Sequence, residues 1–306
     1  MPEMLRWCGS KRMIQRLANK ACVQAESVYI GRLPRCVVLQ TPDRCDGSAH
    51  GGCQMSCKFL WRPEWLSVSP SGNKAGSIEL NDIEVRLCQM ARRSEAHFRC
   101  QATELVKIAK PSSAFEPAQY FNDIRSGIPI QQVIRFLGSL AVRKLTRSSD
   151  HLAGDCKKRT PSLKLGLNVG EKVRVKKLDE IRATLDRAGC NRGLWFDAKE
   201  MAGFCGQELV VSRVLNRLID EKTSELRELR NPCIVLSETE CSGVFRRFCS
   251  RGMLHFWREI WLERVDADRA QRSHGSNCSA ADDIGSRGES VSESANDSRI
   301  LSGDSS

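Results

Sequence analysis

The stretch RCDGSAHGGCQMSCKFLWRPEWL, from Arg44 to Leu66, holds three cysteines, a histidine and two tryptophans. Its reading decides the fold, because an altered copy of it stands far down the chain. Slid by 197 positions, so that Glu3 falls on Glu200, the sequence also brings Met4, Cys8, Gly9, Arg16 and Asn19 onto Met201, Cys205, Gly206, Arg213 and Asn216. The same offset puts CVVL at Cys36 onto CIVL at Cys233. After one inserted residue, Cys45, Gly47 and Cys53 meet Cys241, Gly243 and Cys249, and Trp61, Arg62, Trp65 and Leu66 meet Trp257, Arg258, Trp261 and Leu262. Cysteine and tryptophan are rare, so four cysteines and two tryptophans in register mark an internal repeat.

Around the repeat, EKVRVKK (171–177) alternates as a strand does, and LDEIRATLDRAG (178–189) reads as a short helix ending at Gly189. ELVVSRVLNRLI (208–219) and PCIVLSE (232–238) are β-branched runs bounded by turn residues. Strand, short helix and a curled set of strands predict an α+β protein. It would have two related small β-rich modules, each expected as an SH3-like barrel, joined by a partly helical middle section. Met1 aligns beside Ala198, so the first module is expected to be an N-terminally truncated copy, without the opening strand and helix of the second.

The expected domains are 1–68 for the first module and 69–147 for a middle section. A basic linker at 148–169, the complete second module at 170–265 and a disordered tail at 266–306 follow, the tail rich in Ser, Asp, Gly and Asn. SPSGNKAGS (69–77) reads as a loop. Val133, Ile134, Leu137, Leu140 and Ala141 keep helical spacing, which predicts an amphipathic helix from Ile130 to Leu145 packed on a core.

Composition narrows the function classes. No run is apolar enough for a membrane helix, and the N-terminus lacks a signal peptide's apolar centre, so a cytoplasmic location is expected. In a reducing compartment fifteen cysteines are buried thiols, metal ligands or redox groups rather than a disulfide framework. No phosphate-binding loop, nucleophile elbow, H-E-x-x-H or kinase signature occurs.

The first module alone adds His50 and Cys57, giving C-x4-H-x2-C-x3-C from Cys45. The aligned positions in the second copy, near Arg246 and at Met253, are not ligands. Cys45, His50, Cys53 and Cys57, with Cys100 of FRCQATEL as a further thiolate, are the candidate metal ligands. Zinc is the expected ion and an iron–sulfur cluster the alternative. Against this stands the plain reading of each cysteine as a small buried hydrophobe.

The charge of +11 points to an anionic partner, nucleic acid or acidic protein, met through Arg143, Lys144, Lys157, Lys158, Arg159 and Lys164. A non-catalytic protein is the leading expectation, with a metalloenzyme or redox protein and a nucleic-acid-binding protein as alternatives. The runs GEKVRVKKLDEIRATLD, RGLWFDAKEM, FCG and FWREIWLERV, with RCDGSAHGGC and CQATEL, resemble an uncharacterised bacterial family with a duplicated Cys/Trp-rich module. The resemblance implies the two-module organisation and a start further upstream, and it brings no catalytic residue with it.

Overall fold

Two long hairpins organise the chain. The computed structural model describes residues 1–24, 28–41, 44–68, 81–146 and 152–265. The expected loop at 69–77, the start of the expected linker and the expected disordered tail lie outside the described residues. The first hairpin is β1 (Ile14–Gln24) with β2 (Val28–Leu39). The middle section follows as α1 (Asn81–Ala91), α2 (Gln101–Ile108), β3 (Lys110–Pro111), α3 (Pro117–Arg125) and α4 (Ile130–Thr146). Then come β4 (Lys172–Val175), α5 (Leu178–Arg182), the small β5 (Cys190–Asn191) and β6 (Leu194–Trp195), and α6 (Ala198–Met201). The second hairpin, β7 (Glu208–Ile219) with β8 (Leu226–Leu236), and β9 (Leu262–Arg264) complete it.

The result is a mixed α/β protein with antiparallel sheets, one of them curled into half a barrel. The sheet orders are β1-β2-β3, β8-β7-β4-β9 and β5-β6. The largest core lies under the four-stranded sheet, where Val173, Val175, Ile181, Leu185 and Phe196 enclose Trp257 and Trp261. Both rings meet Phe196 edge-on, at 6.3 and 5.4 Å between centroids, a favourable quadrupole arrangement.

The hairpins share register and irregularities. Ile14 pairs Leu39, Leu17 pairs Val37 and Ala18 pairs Cys36; Val211 pairs Leu236, Val214 pairs Ile234 and Leu215 pairs Cys233. Each entering strand breaks register twice, between Ile14/Arg16 and Ala18/Lys20 in one and between Val211/Arg213 and Leu215/Arg217 in the other. Bulges re-aim the side chains beyond them, so a shared bulge means a shared strand path. Beyond the hairpins, Val37 exchanges backbone hydrogen bonds with Trp61 (2.8 and 2.9 Å), as Ile234 does with Trp257 (2.8 and 2.8 Å).

The contacts between the halves are reciprocal. The loop after β2 lays Cys53 and Gln54 on β7, where Ile219 N–H donates to Cys53 Sγ (3.4 Å) and Gln54 N–H to Arg217 O (3.2 Å). The loop after β8 does the same to β1: Cys22 N–H donates to Cys249 Sγ (3.0 Å) and Ser250 N–H to Lys20 O (3.1 Å). This is the contact logic of a two-fold dimer, i on j and j on i, within one polypeptide.

Two buried ion pairs pin the arrangement. Arg251, on the second loop, reaches Glu221 through both guanidinium nitrogens (2.5 and 3.0 Å) and donates to Cys22 O (2.8 Å). Lys20 of β1 pairs with Asp123 of α3 at 2.5 Å. Helix α4 turns Val133 and Phe136 onto Tyr120 and Phe248, while Ile134 and Leu137, expected inside, face solvent. Residues 152–169, expected as a linker, pack against the second half: Glu259 accepts the Leu165 and Leu167 amides (2.7 and 3.2 Å), and Leu167 enters the large core.

Removing one member of a buried pair strands the other charge. Glu221→Ala is expected to cost about 3–5 kcal/mol in urea unfolding. Glu228→Ala, which breaks an exposed pair with Arg217, is expected to cost under about 1 kcal/mol.

Candidate metal centre

The loop after β2 is built to turn tightly. Gly47 sits at φ +76°, and a Cβ there would lie 2.0 Å from the Cys53 carbonyl oxygen, so only glycine fits. Asp46 Oδ1 accepts the Ser48 amide (2.9 Å) and hydroxyl (2.7 Å), closing the turn from its other end. Burial would raise the Asp46 carboxyl, but the two Ser48 bonds and Arg6 at 2.7 Å bring it down to about 2. The short 3-10 turn Ser48–His50 then drops His50 into the interior, 1% exposed.

Glu3 awaits it. The 3-10 turn Pro2–Trp7 carries this carboxylate inward, and His50 Nδ1 lies 2.7 Å from Glu3 Oε1. Cys45 Sγ is 3.6 Å from the same oxygen and 4.0 Å from Nδ1. Among the described residues Glu3, Cys45 and His50 are the one group of such side chains close enough to share an ion. Burial pushes the Glu3 carboxyl up, yet the hydrogen bond and charge of His50, together with backbone hydrogen bonds, outweigh it and bring the group below its ordinary range.

The remaining thiols stand round the same place. A cavity of about 20 Å³ is lined by Cys45, His50, Cys53, Cys57 and Cys100, with Ile219 of the second hairpin closing one wall. All five side chains expected as ligands therefore border one space, although Cys53, Cys57 and Cys100 are not within ligand-sharing distance of the Glu3 group. Cys100 arrives as the N-cap residue of α2, whose Gln101 side chain clasps Leu60 through both N–H (2.9 Å) and C=O (2.6 Å).

Burial raises every one of these thiols: Cys57 is pushed up to about 11 despite Arg251 nearby, and Cys45, Cys53 and Cys100 also move up. Three side-chain atoms here, Glu3 Oε2, His50 Nε2 and Ser56 Oγ, are buried without a hydrogen-bond partner. Such atoms are rare in folded proteins, and a cluster of them asks for an ion or water.

No family model, curated protein or solved structure matches this chain. The functional reading therefore rests on the geometry alone. The Glu/Cys/His group has a donor set suited to a metal ion: one carboxylate oxygen, one imidazole nitrogen and one sulfur. In the second half Glu200 keeps the place of Glu3 but accepts the Ser242 amide and hydroxyl (2.9 and 3.0 Å), while Arg246 stands where His50 does and pairs with Asp197. The second half thus keeps the frame without the imidazole.

The sequence pattern missed two participants. Glu3 was visible only as a matched position of the repeat, with nothing to mark it as a ligand. Cys22, aligned with Ile219, carries no motif, yet its amide and thiol face Cys249. The Cys22 hydrogen bond outweighs burial and, with Arg251 beside it, lowers the Cys249 thiol; the Cys22 thiol moves up in exchange.

No helix among the described residues is long and apolar enough to cross a membrane. Of the expected anionic-partner residues, Lys157, Lys158, Arg159 and Lys164 are exposed, and the side chains of Arg143 and Lys144 lie outside the described ones.

Proposed function

We propose that this chain is a non-catalytic cytoplasmic protein of two duplicated modules. The first module holds one four-coordinate zinc ion through Cys45, His50, Cys53 and Cys57, the last two drawn in from the cavity wall on binding, with Cys100 beside them and Glu3 steadying His50. The observation that carries the reading is the convergence of five sulfur and nitrogen donors on one cavity, from segments far apart in the chain. Its size supports an ion over a substrate: about 20 Å³ suits a water-sized occupant, whereas organic ligands need several hundred Å³, on the order of 300–1,000 Å³. Glu3 on Nδ1 matches the carboxylate–histidine pairing that orients metal-bound imidazoles, with the buried Nε2 left to ligate. Duplication is supported by the shared bulges, the shared Trp pairings and the glycines at Gly47 and Gly243, which stand at φ +76° in both loops. An SH3-like form for each module would place the hairpins at its centre.

Elemental analysis of the purified chain is expected to give one zinc per molecule. Substituted cobalt is expected to show sulfur-to-metal absorption. His50→Ala and Cys57→Ser should each lose the metal, and Glu3→Gln should weaken it by about 10–100-fold. A metal-free chain that neither takes up zinc nor gains thermal stability from it would refute the site. Iron with a coloured, sulfide-containing protein would favour the redox alternative.

The exposed Lys157, Lys158, Arg159 and Lys164 support a contact with an anionic partner. Binding to a random duplex oligonucleotide should then weaken steeply with salt and lose about one phosphate contact per lysine replaced. Salt-independent or undetectable binding removes nucleic acid as that partner.

A further inference from the structure

The crossed seating of the loops brings together two thiols that the metal centre does not use. Cys22 lies on β1 in the first half and Cys249 on the loop after β8 in the second, 227 positions apart in the chain. Cys249 Sγ accepts the Cys22 backbone amide at 3.0 Å and the Arg251 amide at 3.5 Å, and the Cys22 thiol is its side-chain hydrogen-bond partner. The 3.0 Å contact holds this sulfur within about 4.5 Å of Cys22 Cα, since N–Cα is about 1.46 Å. A bond between the two sulfurs, about 2.05 Å long, is then within the reach of the Cys22 side chain.

The surroundings favour a charged sulfur at Cys249. Arg251, anchored by Glu221 and by Cys22 O (2.8 Å), adds its guanidinium to the two amides. The hydrogen bond from Cys22, those amides and that cation outweigh burial and lower the Cys249 thiol, whereas burial raises the thiols of Cys36 and Cys233. Thiolate character is what makes one cysteine among many susceptible to oxidation. Cys249 is 3% exposed and Cys22 beside it is half-buried, so the oxidant must be small. At the mirrored crossing Ile219 gives its amide to Cys53 Sγ (3.4 Å), and the strand position matched to Cys22 carries no thiol.

We propose that Cys22 and Cys249 are a peroxide-sensitive pair: hydrogen peroxide oxidises Cys249, and Cys22 resolves it to a disulfide that bolts the second-half loop to β1. The Cys249 thiolate attacks one peroxide oxygen. The O–O bond breaks, and the departing hydroxide takes up a proton to become water, which leaves Cys249 as a sulfenic acid. The Cys22 thiol then attacks that sulfur. An S–S bond forms, the S–O bond breaks, and the hydroxyl departs with the Cys22 proton as a second water. Two thiols lose two electrons and two protons in all, and one peroxide gains them. None of the five cysteine and histidine side chains round the cavity takes part, so the inference is independent of the metal centre.

An equimolar dose of hydrogen peroxide given to the full chain, followed by alkylation and tryptic mass spectrometry, tests it. Trypsin releases Cys22 in ACVQAESVYIGR (21–32) and Cys249 in FCSR (248–251), each with a single thiol. The two peptides are expected joined, lighter by two hydrogens than their sum, and parted by dithiothreitol. Their link should form at least about tenfold faster than Cys36 or Cys233 is oxidised. Cys22→Ser and Cys22→Ala should each leave Cys249 as a sulfenic acid that dimedone captures. The oxidised chain should melt at least about 5 °C above the reduced one, because the bond joins strands far apart in sequence. Absence of that link overturns the proposal, as does a link that forms only after Cys36 and Cys233 have reacted. So do Cys22 variants in which dimedone never labels Cys249, or a melting temperature that oxidation leaves unmoved.

Discussion

Everything else in the structure depends on the crossed seating of two loops: each half lends the loop after its hairpin to the other half's entering strand. The Ile219 amide finds its partner at Cys53, and the Cys22 amide at Cys249. Neither hairpin satisfies these backbone donors by itself, and an unpaired buried amide costs about as much as a lost hydrogen bond. Joining both halves in one chain raises their effective concentration for each other, so the seating needs little surface to persist. The buried Arg251–Glu221 pair then fixes it, since a guanidinium stripped of water requires its carboxylate.

From this seating follows the cavity. One of its walls, Ile219, comes from the second hairpin, so the thiols of the first half are enclosed by the other half. The frames are alike and the chemistry is not. His50 and Cys57 in one loop are Arg246 and Met253 in the other, and an imidazole with thiols gives way to an ion pair with Asp197. Trp65 and Trp261 hold matching places in the chain and opposite relations to solvent. The halves thus differ in side-chain chemistry where their hairpins agree in register.

Much of this was legible in the sequence because the informative residues are rare and their side chains are constrained. Cysteine and tryptophan in common register pointed to segments that lie in hairpins of matching register, at Cys36 and Cys233. The alternating run at Lys172–Val175 is the strand it promised. Cys45, His50, Cys53, Cys57 and Cys100, singled out in the sequence, line one cavity, but of these only Cys45 and His50 stand within ligand-sharing distance, with Glu3. Distant contacts were not legible. Periodicity along one segment says nothing about which half a loop will dock on, so Cys22 opposite Cys249 had no signal. Leu165 and Leu167 lie in a basic stretch whose composition reads as a linker, until a carboxylate some ninety residues away, Glu259, captures their amides. Ile134 and Leu137 kept helical spacing on a helix whose buried stripe is set instead by Phe136 against Phe248, 5.6 Å apart.

X-ray absorption at the zinc edge of the purified protein tests the central claim most directly. The account predicts a four-coordinate ion with sulfur at about 2.3 Å and one imidazole nitrogen at about 2.0–2.1 Å, the nitrogen lost in His50→Ala. A shell of oxygen or nitrogen alone, or a spectrum unchanged by that substitution, would contradict it.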